Sequence, residues 1–218
     1  TKIDVVTNGV DLSHFAPQAK DVKLVQQLTL QDMFVAGYIG THGMAHALET
    51  LLEAAQMLQQ MPGAENVRIC FLGDGARKLA IVAKAQTMGL CNVLFLESVP
   101  KDQVVRYWSV LDVAVIHLRK SELFTTVIPS KLFECMGMGI PVLHGVAGES
   151  AEIVVREQVG EVFESENAGQ LVASLLRMRD RPAAYAGFQQ NGLAAARRYD
   201  RKHLALQMLQ VLINLVGK

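Results

Sequence analysis

Short apolar runs alternate with helical patterns along the chain. Runs of apolar and β-branched residues predict strands, and apolar residues that recur every three or four positions predict helices. The predicted strands are residues 33–39, 67–72, 93–96, 112–117, 141–144 and 160–163. The predicted helices are residues 45–60, 75–88, 101–110, 130–138, 149–157, 167–179, 182–198 and 200–216. This alternation predicts an α/β fold in which a doubly wound parallel sheet has helices on both faces. Residues 1–6 also have a strand-like pattern.

Composition and charge fit a single domain and argue against two classes of protein. The 218 residues, 50% of them hydrophobic, can supply the core of one domain that spans residues 1–218. There are 21 basic and 21 acidic residues, whereas a nucleic-acid-binding domain normally has a basic excess. No apolar run reaches the roughly 20 residues of a membrane span, and no signal peptide is recognised. Three widely spaced cysteines, Cys70, Cys91 and Cys135, lack disulfide or metal-site spacing and favour a reducing cytoplasm.

Residues 127–141 predict a loop, a short helix and the start of a strand. Pro129 suits the first turn of a helix, and Ser130 can cap the amides that follow. The free amides of that helix end and Lys131 together suit a phosphate or pyrophosphate. Glu134, one turn further on, can accept hydrogen bonds from both hydroxyls of a sugar diol. Phosphate plus diol indicates a nucleotide. The alternative is an ordinary capped surface helix on which Lys131 and Glu134 form a solvated pair.

Four segments together resemble the family 4 retaining glycosyltransferases, which have the two-domain GT-B fold. Residues 129–134 read Pro-Ser-Lys-Leu-Phe-Glu, and residues 136–142 continue Met-Gly-Met-Gly-Ile-Pro-Val. The other three segments are Val-Thr-Asn-Gly-Val-Asp at 6–11 with Phe15, Gly-Tyr-Ile-Gly-Thr-His-Gly at 37–43, and Phe-Leu-Gly-Asp-Gly at 71–75. In the family these segments occur in this order within the C-terminal, Rossmann-like domain. The finer resemblance is to bacterial enzymes that transfer fucosamine-type acetamido-deoxy sugars in surface polysaccharide synthesis.

The resemblance implies that this chain is half of an enzyme. The N-terminal domain that holds the acceptor would precede it, so the isolated chain is expected to transfer no sugar. In two-domain relatives the last helix returns toward the first domain, which would leave part of its apolar stripe exposed here. That stripe consists of Leu204, Met208, Val211, Leu212 and Leu215. The full-length enzyme is expected in the cytoplasm, where it can attach peripherally to the inner face of the membrane.

The resemblance also implies a set of donor-binding residues. In doubly wound sheets ligands bind beyond the carboxyl ends of the strands, and the loops that follow the predicted strands supply this set. Ser98 and Val99 belong to the segment that cups the base in the family. No catalytic residue is assigned. The donor-binding set comprises Gly40, Thr41, His42, Gly73, Ser98, Val99, Thr126, Pro129, Ser130, Lys131 and Glu134.

The first glycine-containing loop departs from the family pattern. Most members have an arginine directly after the second glycine and a lysine a few residues later, both for the pyrophosphate, where this chain has Thr41 and the pair Ala45-His46. Lys131, His42 or His46 is expected to take over part of that role. The alternative for each histidine is a loop residue bonded to backbone. The glycine spacing does not match a dinucleotide-binding loop, which argues against a nicotinamide cofactor.

A second departure lies eight residues before Glu134. Many family members have a glutamate there that faces the donor sugar, whereas this chain has Thr126, which offers one hydroxyl and no charge. Two interpretations remain open: the donor has a deoxygenated or acetylated ring, or Glu122 substitutes for the missing glutamate.

These observations define the expected function and its alternatives. The leading hypothesis is the donor-binding half of a retaining hexosyltransferase that uses a nucleotide sugar, expected to be a UDP-sugar, in bacterial lipopolysaccharide or O-antigen synthesis. No metal and no cofactor are expected, because the sequence contains no carboxylate cluster to hold a cation. The alternatives are a nucleotide-sugar epimerase of the same architecture and a non-catalytic nucleotide-binding domain. Conversion of the donor without an acceptor would identify the epimerase.

Overall fold

The computed structural model describes residues 3–216 and has the predicted α/β architecture. Six strands form one sheet: β1 (Phe34–Ile39), β2 (Val67–Leu72), β3 (Val93–Leu96), β4 (Val113–His117), β5 (Val142–Gly145) and β6 (Gly160–Val162). The helices in this part of the chain are α1 (Val22–Gln27), α2 (Glu49–Gln59), α3 (Lys78–Thr87), α4 (Val104–Ser109), α5 (Ser130–Met138), α6 (Glu149–Glu157), α7 (Ala168–Asp180), α8 (Pro182–Ala196) and α9 (Arg201–Val216). Short 3₁₀ turns occur at Met44–His46, Glu122–Thr126 and Arg197–Tyr199.

The strand order places a crevice at the middle of the sheet. All strands are parallel, in the spatial order β3-β2-β1-β4-β5-β6. The chain therefore builds the sheet outward from β1 in one direction and from β4 in the other. The loops after β1 and β4 diverge at this switch point, which is where doubly wound sheets bind ligands.

Two apolar clusters cover the two faces of the sheet. Because side chains alternate along a strand, Val35 and Ile39 of β1 enter one cluster while Ala36 and Tyr38 enter the other. Helices α4, α5, α6 and α8 supply side chains to the first cluster, and α2, α3 and α7 supply the second. Helix α5 is thus fixed against the sheet by a buried apolar face, with its N-terminus at the switch point.

Several helix boundaries differ from the sequence prediction for local backbone reasons. The helix predicted from residue 45 begins at Glu49, because Ala47 is left-handed with φ 42° and only a 3₁₀ turn precedes it. The helix predicted from residue 75 begins at Lys78, after Gly75 with φ 154°. The helix predicted from residue 101 likewise begins late, at Val104. Ala196 ends α8, and a 3₁₀ turn replaces the predicted continuation to residue 198.

The predicted opening strand is wrong for the residues that the structure describes. Residues 3–9 have no regular structure, and residues 1 and 2 lie outside the described range. Val10 instead makes an isolated parallel bridge with Asp200, because the early segment meets the start of α9 and not the sheet. Helix α1 was not predicted from the sequence pattern. It has six residues, and the Asp21 carboxylate caps its first turn.

The last helix is largely exposed, as expected from the position of its apolar stripe. Leu204 is buried, but Met208, Leu212 and Leu215 are 51%, 51% and 67% exposed. Of the helices in the described part of the chain, none combines the length and apolarity needed to cross a bilayer.

Packing of α2 against the sheet supports a stability prediction. Leu52 is fully buried, so Leu52→Ala should lower the free energy of unfolding by about 2–5 kcal/mol through lost contacts and the cavity left behind. Leu79→Ala is the matched control, because this leucine is 85% exposed on α3 and its loss should change stability by no more than about 0.5 kcal/mol. Urea unfolding measures both, and similar losses in the two variants would contradict the assigned packing.

Candidate functional site

The loops after β1 and β2 pack against each other through their backbones. Gly40 donates its amide to the Leu72 carbonyl at 2.8 Å, and His42 donates its amide to the Asp74 carbonyl at 2.8 Å. A Cβ at residue 73 would collide with the carbonyl oxygen of Gly40, so only glycine fits there. The amides that follow these two donors in the sequence, those of Thr41 and Gly43, have no hydrogen-bond acceptor within residues 3–216. The first loop therefore presents two free donors at the crevice.

The N-terminus of α5 also has free amides. Pro129 is the N-cap residue and makes no side-chain capping bond. The prediction that Ser130 caps the helix is wrong, because Ser130 is already the first helical residue. Its own amide and that of Lys131 precede the first helical hydrogen bond, which the Leu132 amide donates to the Pro129 carbonyl at 3.0 Å. Without a side-chain cap, these donors and the positive end of the helix dipole remain available to an anion.

The Lys131 side chain extends back from α5 to the first loop. A Cβ at Gly40 would collide with Lys131 Cε, so the lysine occupies the space that this glycine leaves free. Its Nζ lies 5.8 Å from the centre of the Tyr38 ring. Burial lowers the pKa of Lys131, and the neighbouring Glu134 carboxylate partly opposes that shift. Among the described residues Lys131 has no ion pair within 4.0 Å, so the alternative of a solvated surface pair with Glu134 is wrong.

Glu134 lies one turn along α5 in a half-buried position. Burial raises the pKa of its carboxyl group, and the cations that oppose that shift come from different elements: Lys131, Lys101 and Arg201. Its carboxylate accepts no hydrogen bond from any residue between 3 and 216. The two oxygens are therefore free to accept from a ligand, and the surrounding cations favour their charged form.

The histidines of the first loop differ in accessibility. His42 is fully buried between Tyr38 and Phe71, and neither of its ring nitrogens makes a hydrogen bond. Burial is the largest cause of its lowered pKa. His46 is partly buried, and burial together with Lys131, His117 and His42 lowers its pKa to about 4. Both rings are therefore neutral near pH 7, and Lys131 is the residue of the three that carries a cation to this loop.

Two structural residues of the crevice were not singled out from the sequence. His117, at the end of β4, donates from Nδ1 to the His46 carbonyl at 2.8 Å and accepts the Glu166 amide at Nε2 at 2.9 Å, so it joins three loops. Lys78, at the start of α3, pairs with Glu97 at 2.7 Å and anchors the segment before Ser98. A buried histidine and a lysine in a helix have no sequence pattern that distinguishes these roles.

The remaining predicted residues lie in the loops after β3 and β4, beyond the carboxyl ends of those strands. Ser98 is exposed and Val99 half-buried in the loop after β3. Thr126 is exposed at the end of the 3₁₀ turn after β4, where its hydroxyl donates to the Leu123 carbonyl at 3.4 Å. Glu122 is exposed at the start of that turn, beside a cavity of about 370 Å³ that Thr125 and Ala147 also line.

The sheet order and the central crevice define a Rossmann-like domain of the class that forms the C-terminal half of GT-B glycosyltransferases. Residues 33–181 match the family model described as glycosyl transferases group 1. Because this match covers more than half of the chain, the chain belongs to that family. The prediction of a glycosyltransferase domain is confirmed at this level, and a comparison with curated proteins returns no match.

Solved structures confirm the fold. Anabaena Alr3699/HepE, in complex with UDP and glucose, is 23% identical, with 96% of this chain and 56% of that chain covered at a TM-score of 0.79. Sucrose-phosphate synthase from Thermosynechococcus elongatus is 22% identical, with 97% and 52% covered at a TM-score of 0.76. The C-terminal domain of the group 1 glycosyl transferase LpcC from Francisella tularensis is 20% identical, with 88% and 100% covered at 0.69. This chain therefore spans about half the length of the first two proteins.

A buried histidine behind the crevice predicts how stability depends on pH. His144, in β5, bonds the Ser150 hydroxyl at 2.6 Å, and burial lowers its pKa from 6.5 to about 3. The unfolded chain takes up this proton below pH 6.5 and the folded chain only near pH 3, so the associated stability is complete above 6.5 and is lost as the pH falls toward 3. Between about pH 7.5 and 5.5, His144 should account for a loss of about 1.4 kcal/mol.

Urea unfolding at the two pH values measures this effect. His144→Gln should lose about 1.4 kcal/mol less than the parent over this interval, whatever its stability at the higher pH. His203→Gln, which removes an exposed ring on α9, is the matched control. A parent and a His144→Gln variant with the same pH dependence would show that His144 is not buried as a neutral ring.

Proposed function

We propose that this chain is the donor-binding domain of a retaining glycosyltransferase that uses a nucleoside diphosphate sugar. The observation that carries this proposal is Lys131, a partly buried lysine that has no ion-pair partner in the described part of the chain and lies over Gly40. Partial burial removes some of the water around its ammonium, and a diphosphate supplies a counter-charge that offsets this loss. Membership of the glycosyl transferase group 1 family supports the same activity.

The diphosphate would lie where α5 meets the first loop. The uncapped helix end supplies the amides of Ser130 and Lys131, and the loop supplies those of Thr41 and Gly43. Donors already fixed in place stabilise negative charge without reorganising when the charge develops. These amides and the ammonium would bind the ground-state donor and also stabilise the leaving diphosphate when the sugar is transferred. Thr41 thus contributes its backbone, and Lys131 replaces the cations that are absent from this loop.

The ribose would lie one helical turn along α5. Glu134 is on the same face as Lys131, three residues further on, so a ligand bound to both extends along this face. Two adjacent hydroxyls can donate to its two oxygens, and hydrogen bonds to a charged group are stronger than neutral ones. Burial favours the neutral acid, but the surrounding cations favour the carboxylate that this role requires.

Uracil is the base that the comparisons favour. Anabaena Alr3699/HepE has been crystallised with UDP and with UDP-glucose, and its fold matches this chain. The loop that contains Ser98 and Val99 lies beyond β3 on the ribose side of the site and would contact the base through its backbone. Calorimetric titration of the parent with uridine, guanosine and adenosine diphosphates tests this assignment, and preference for a purine nucleotide would exclude it.

The donor sugar is proposed from the threonine at position 126. Thr126 is exposed beside the crevice and offers no charge, which suits a ring with a deoxygenated or acetylated position better than a fully hydroxylated one. We therefore infer a fucosamine-type acetamido-deoxy sugar, transferred by a family 4 enzyme in bacterial lipopolysaccharide or O-antigen synthesis. Glu122, also exposed, is the alternative sugar-binding acid, and unchanged affinity of Glu122→Gln for a UDP-sugar would exclude it.

A second domain is proposed to hold the acceptor. This chain spans 56% of Alr3699/HepE and 52% of the sucrose-phosphate synthase, and α9 exposes apolar side chains. The chain alone is therefore proposed to bind donor without transferring sugar.

Replacement of Lys131 distinguishes binding of the diphosphate from binding of the nucleoside. Lys131→Ala should weaken UDP binding by about 1.5–3 kcal/mol, the magnitude of a charge-assisted bond, and leave uridine binding nearly unchanged. Calorimetric titration of both ligands measures the difference. Lys84→Ala is the matched control, because Lys84 is an exposed lysine of α3 paired with Glu53 at 3.6 Å. Equal losses for UDP and uridine would remove Lys131 from the diphosphate site and make His46 the next candidate.

Replacement of Glu134 should affect both ligands. Glu134→Gln removes a charged acceptor from the proposed ribose site, so uridine and UDP should each bind about 1.5–3 kcal/mol more weakly while circular dichroism stays unchanged. Glu152→Gln, at an exposed position in the first turn of α6, is the control and should bind as the parent does. Unchanged uridine affinity in Glu134→Gln would exclude Glu134 from the ribose site.

A further inference from the structure

Tyr38 joins the two halves of the proposed diphosphate site. It is the fifth residue of β1, and its ring is 1% exposed on the sheet face that α2 covers. Its hydroxyl donates to the Thr41 carbonyl at 2.8 Å. The next amide, that of His42, donates to the Asp74 carbonyl at 2.8 Å. The peptide plane between Thr41 and His42 is therefore held at both its carbonyl and its amide.

That fixed plane determines where the free donors point. The amides of Thr41 and Gly43 belong to the peptide units on either side of it, and neither has an acceptor within the described range. The Gly43 amide shares its peptide plane with the His42 carbonyl, which accepts the Arg77 amide at 2.9 Å, so that plane is held directly. The plane of the Thr41 amide is joined to the central plane through the backbone dihedrals of Thr41, so releasing the Thr41 carbonyl would allow the direction of the Thr41 amide to change. The Tyr38 hydroxyl thus helps to fix the loop conformation that leaves these two donors free.

The Tyr38 ring lies under the ammonium of Lys131. The distance from Nζ to the ring centre is 5.8 Å, within the range at which an aromatic face attracts a cation. An acidic residue here would also hold the ammonium, but it would neutralise the charge and compete with an anionic ligand. An aromatic face attracts the ammonium and adds no negative charge, so the whole charge remains available.

We propose that Tyr38 is the positioning residue of the diphosphate site: its ring holds the Lys131 ammonium over Gly40, and its hydroxyl holds the loop that presents the Thr41 and Gly43 amides. This inference rests on the proposed function, since it assigns the diphosphate of the donor to these groups. Tyr38 touches no reacting atom and acts through Lys131 and the loop. A purely structural tyrosine would instead affect stability without distinguishing between ligands.

The test compares three probes: UDP, uridine and inorganic pyrophosphate. Tyr38→Leu removes both the aromatic ring and the hydroxyl, so affinity for UDP and pyrophosphate should fall about 6- to 300-fold, the product of the losses expected for a cation–π contact and a hydrogen bond, with uridine unchanged. Tyr38→Phe keeps the ring and should weaken pyrophosphate binding about 2- to 10-fold through the loss of one hydrogen bond. Trp108→Leu is the matched control, because Trp108, on α4, is equally buried but belongs to the apolar cluster on the other face of the sheet.

A double-mutant cycle tests whether the Tyr38 ring affects pyrophosphate affinity through Lys131. In a Lys131→Ala background, Tyr38→Leu should lose no more pyrophosphate affinity than Tyr38→Phe loses in the parent, because the ring then has no ammonium to hold. Fully additive losses would overturn the role of the ring, and so would an equal loss for uridine. If Tyr38→Leu does not fold, Tyr38→Phe carries the test, and unchanged pyrophosphate affinity in that variant would overturn the role of the hydroxyl.

The same titrations distinguish failure of this inference from failure of the proposed function. A parent that binds pyrophosphate but not UDP would contradict the nucleotide assignment. The role of Tyr38 would still be tested by the pyrophosphate affinities of its variants. A parent that binds UDP, with the Tyr38 and Trp108 variants indistinguishable, would overturn only the role of Tyr38. Binding of neither probe by the parent would overturn both.

Discussion

A partly buried ammonium without an ion-pair partner in the described chain is the constraint on which the rest of the site depends. Lys131 extends from α5 into space that exists only because residue 40 has no side chain. Burial lowers its pKa, so its charged form is less favoured than in water, and a bound anion would oppose that shift. Gly40 leaves space for this cation, the aromatic ring lies beneath its Nζ, and the helix end adds free amides beside it. All three therefore favour binding of an anion at Lys131.

The glycines of the crevice have different roles, although each lies in a loop beyond a strand. Gly40 makes room for Lys131. Gly73 and Gly75 make room for the carbonyl oxygens of Gly40 and His42, since a Cβ at either position would meet them. The second loop is therefore the support on which the first loop rests, and it takes up the Gly40 and His42 amides while leaving those of Thr41 and Gly43 free. Close backbone packing thus selects which amides a ligand can reach.

Periodicity predicts the strands well because the four central ones are short runs buried on both faces, as in Val113–His117, and such runs have few alternatives in an α/β chain. Helix starts are predicted less well, since they depend on single residues such as Ala47, whose left-handed backbone no pattern indicates. Lys131 and Glu134 can be proposed as ligand-binding residues from the sequence, because their spacing places them on one face of a helix. Tyr38 could not be recognised, because its role depends on a lysine more than 90 residues away, and a tyrosine near the end of a strand is usually read as core.

The two halves of the proposed site depend on the fold in different ways. The diphosphate half is local, since it consists of one loop, one helix end and the ring beneath them. The nucleoside half is assembled from distant segments: the cations that favour the Glu134 carboxylate include Lys101 and Arg201 as well as Lys131. Arg201 is held there by its backbone bond to the Val10 carbonyl, and Gly9 permits this approach because a Cβ would collide with the Tyr199 carbonyl. A change at this crossing should therefore act first on Glu134, and it reaches the diphosphate half only through the electrostatic interaction between Glu134 and Lys131.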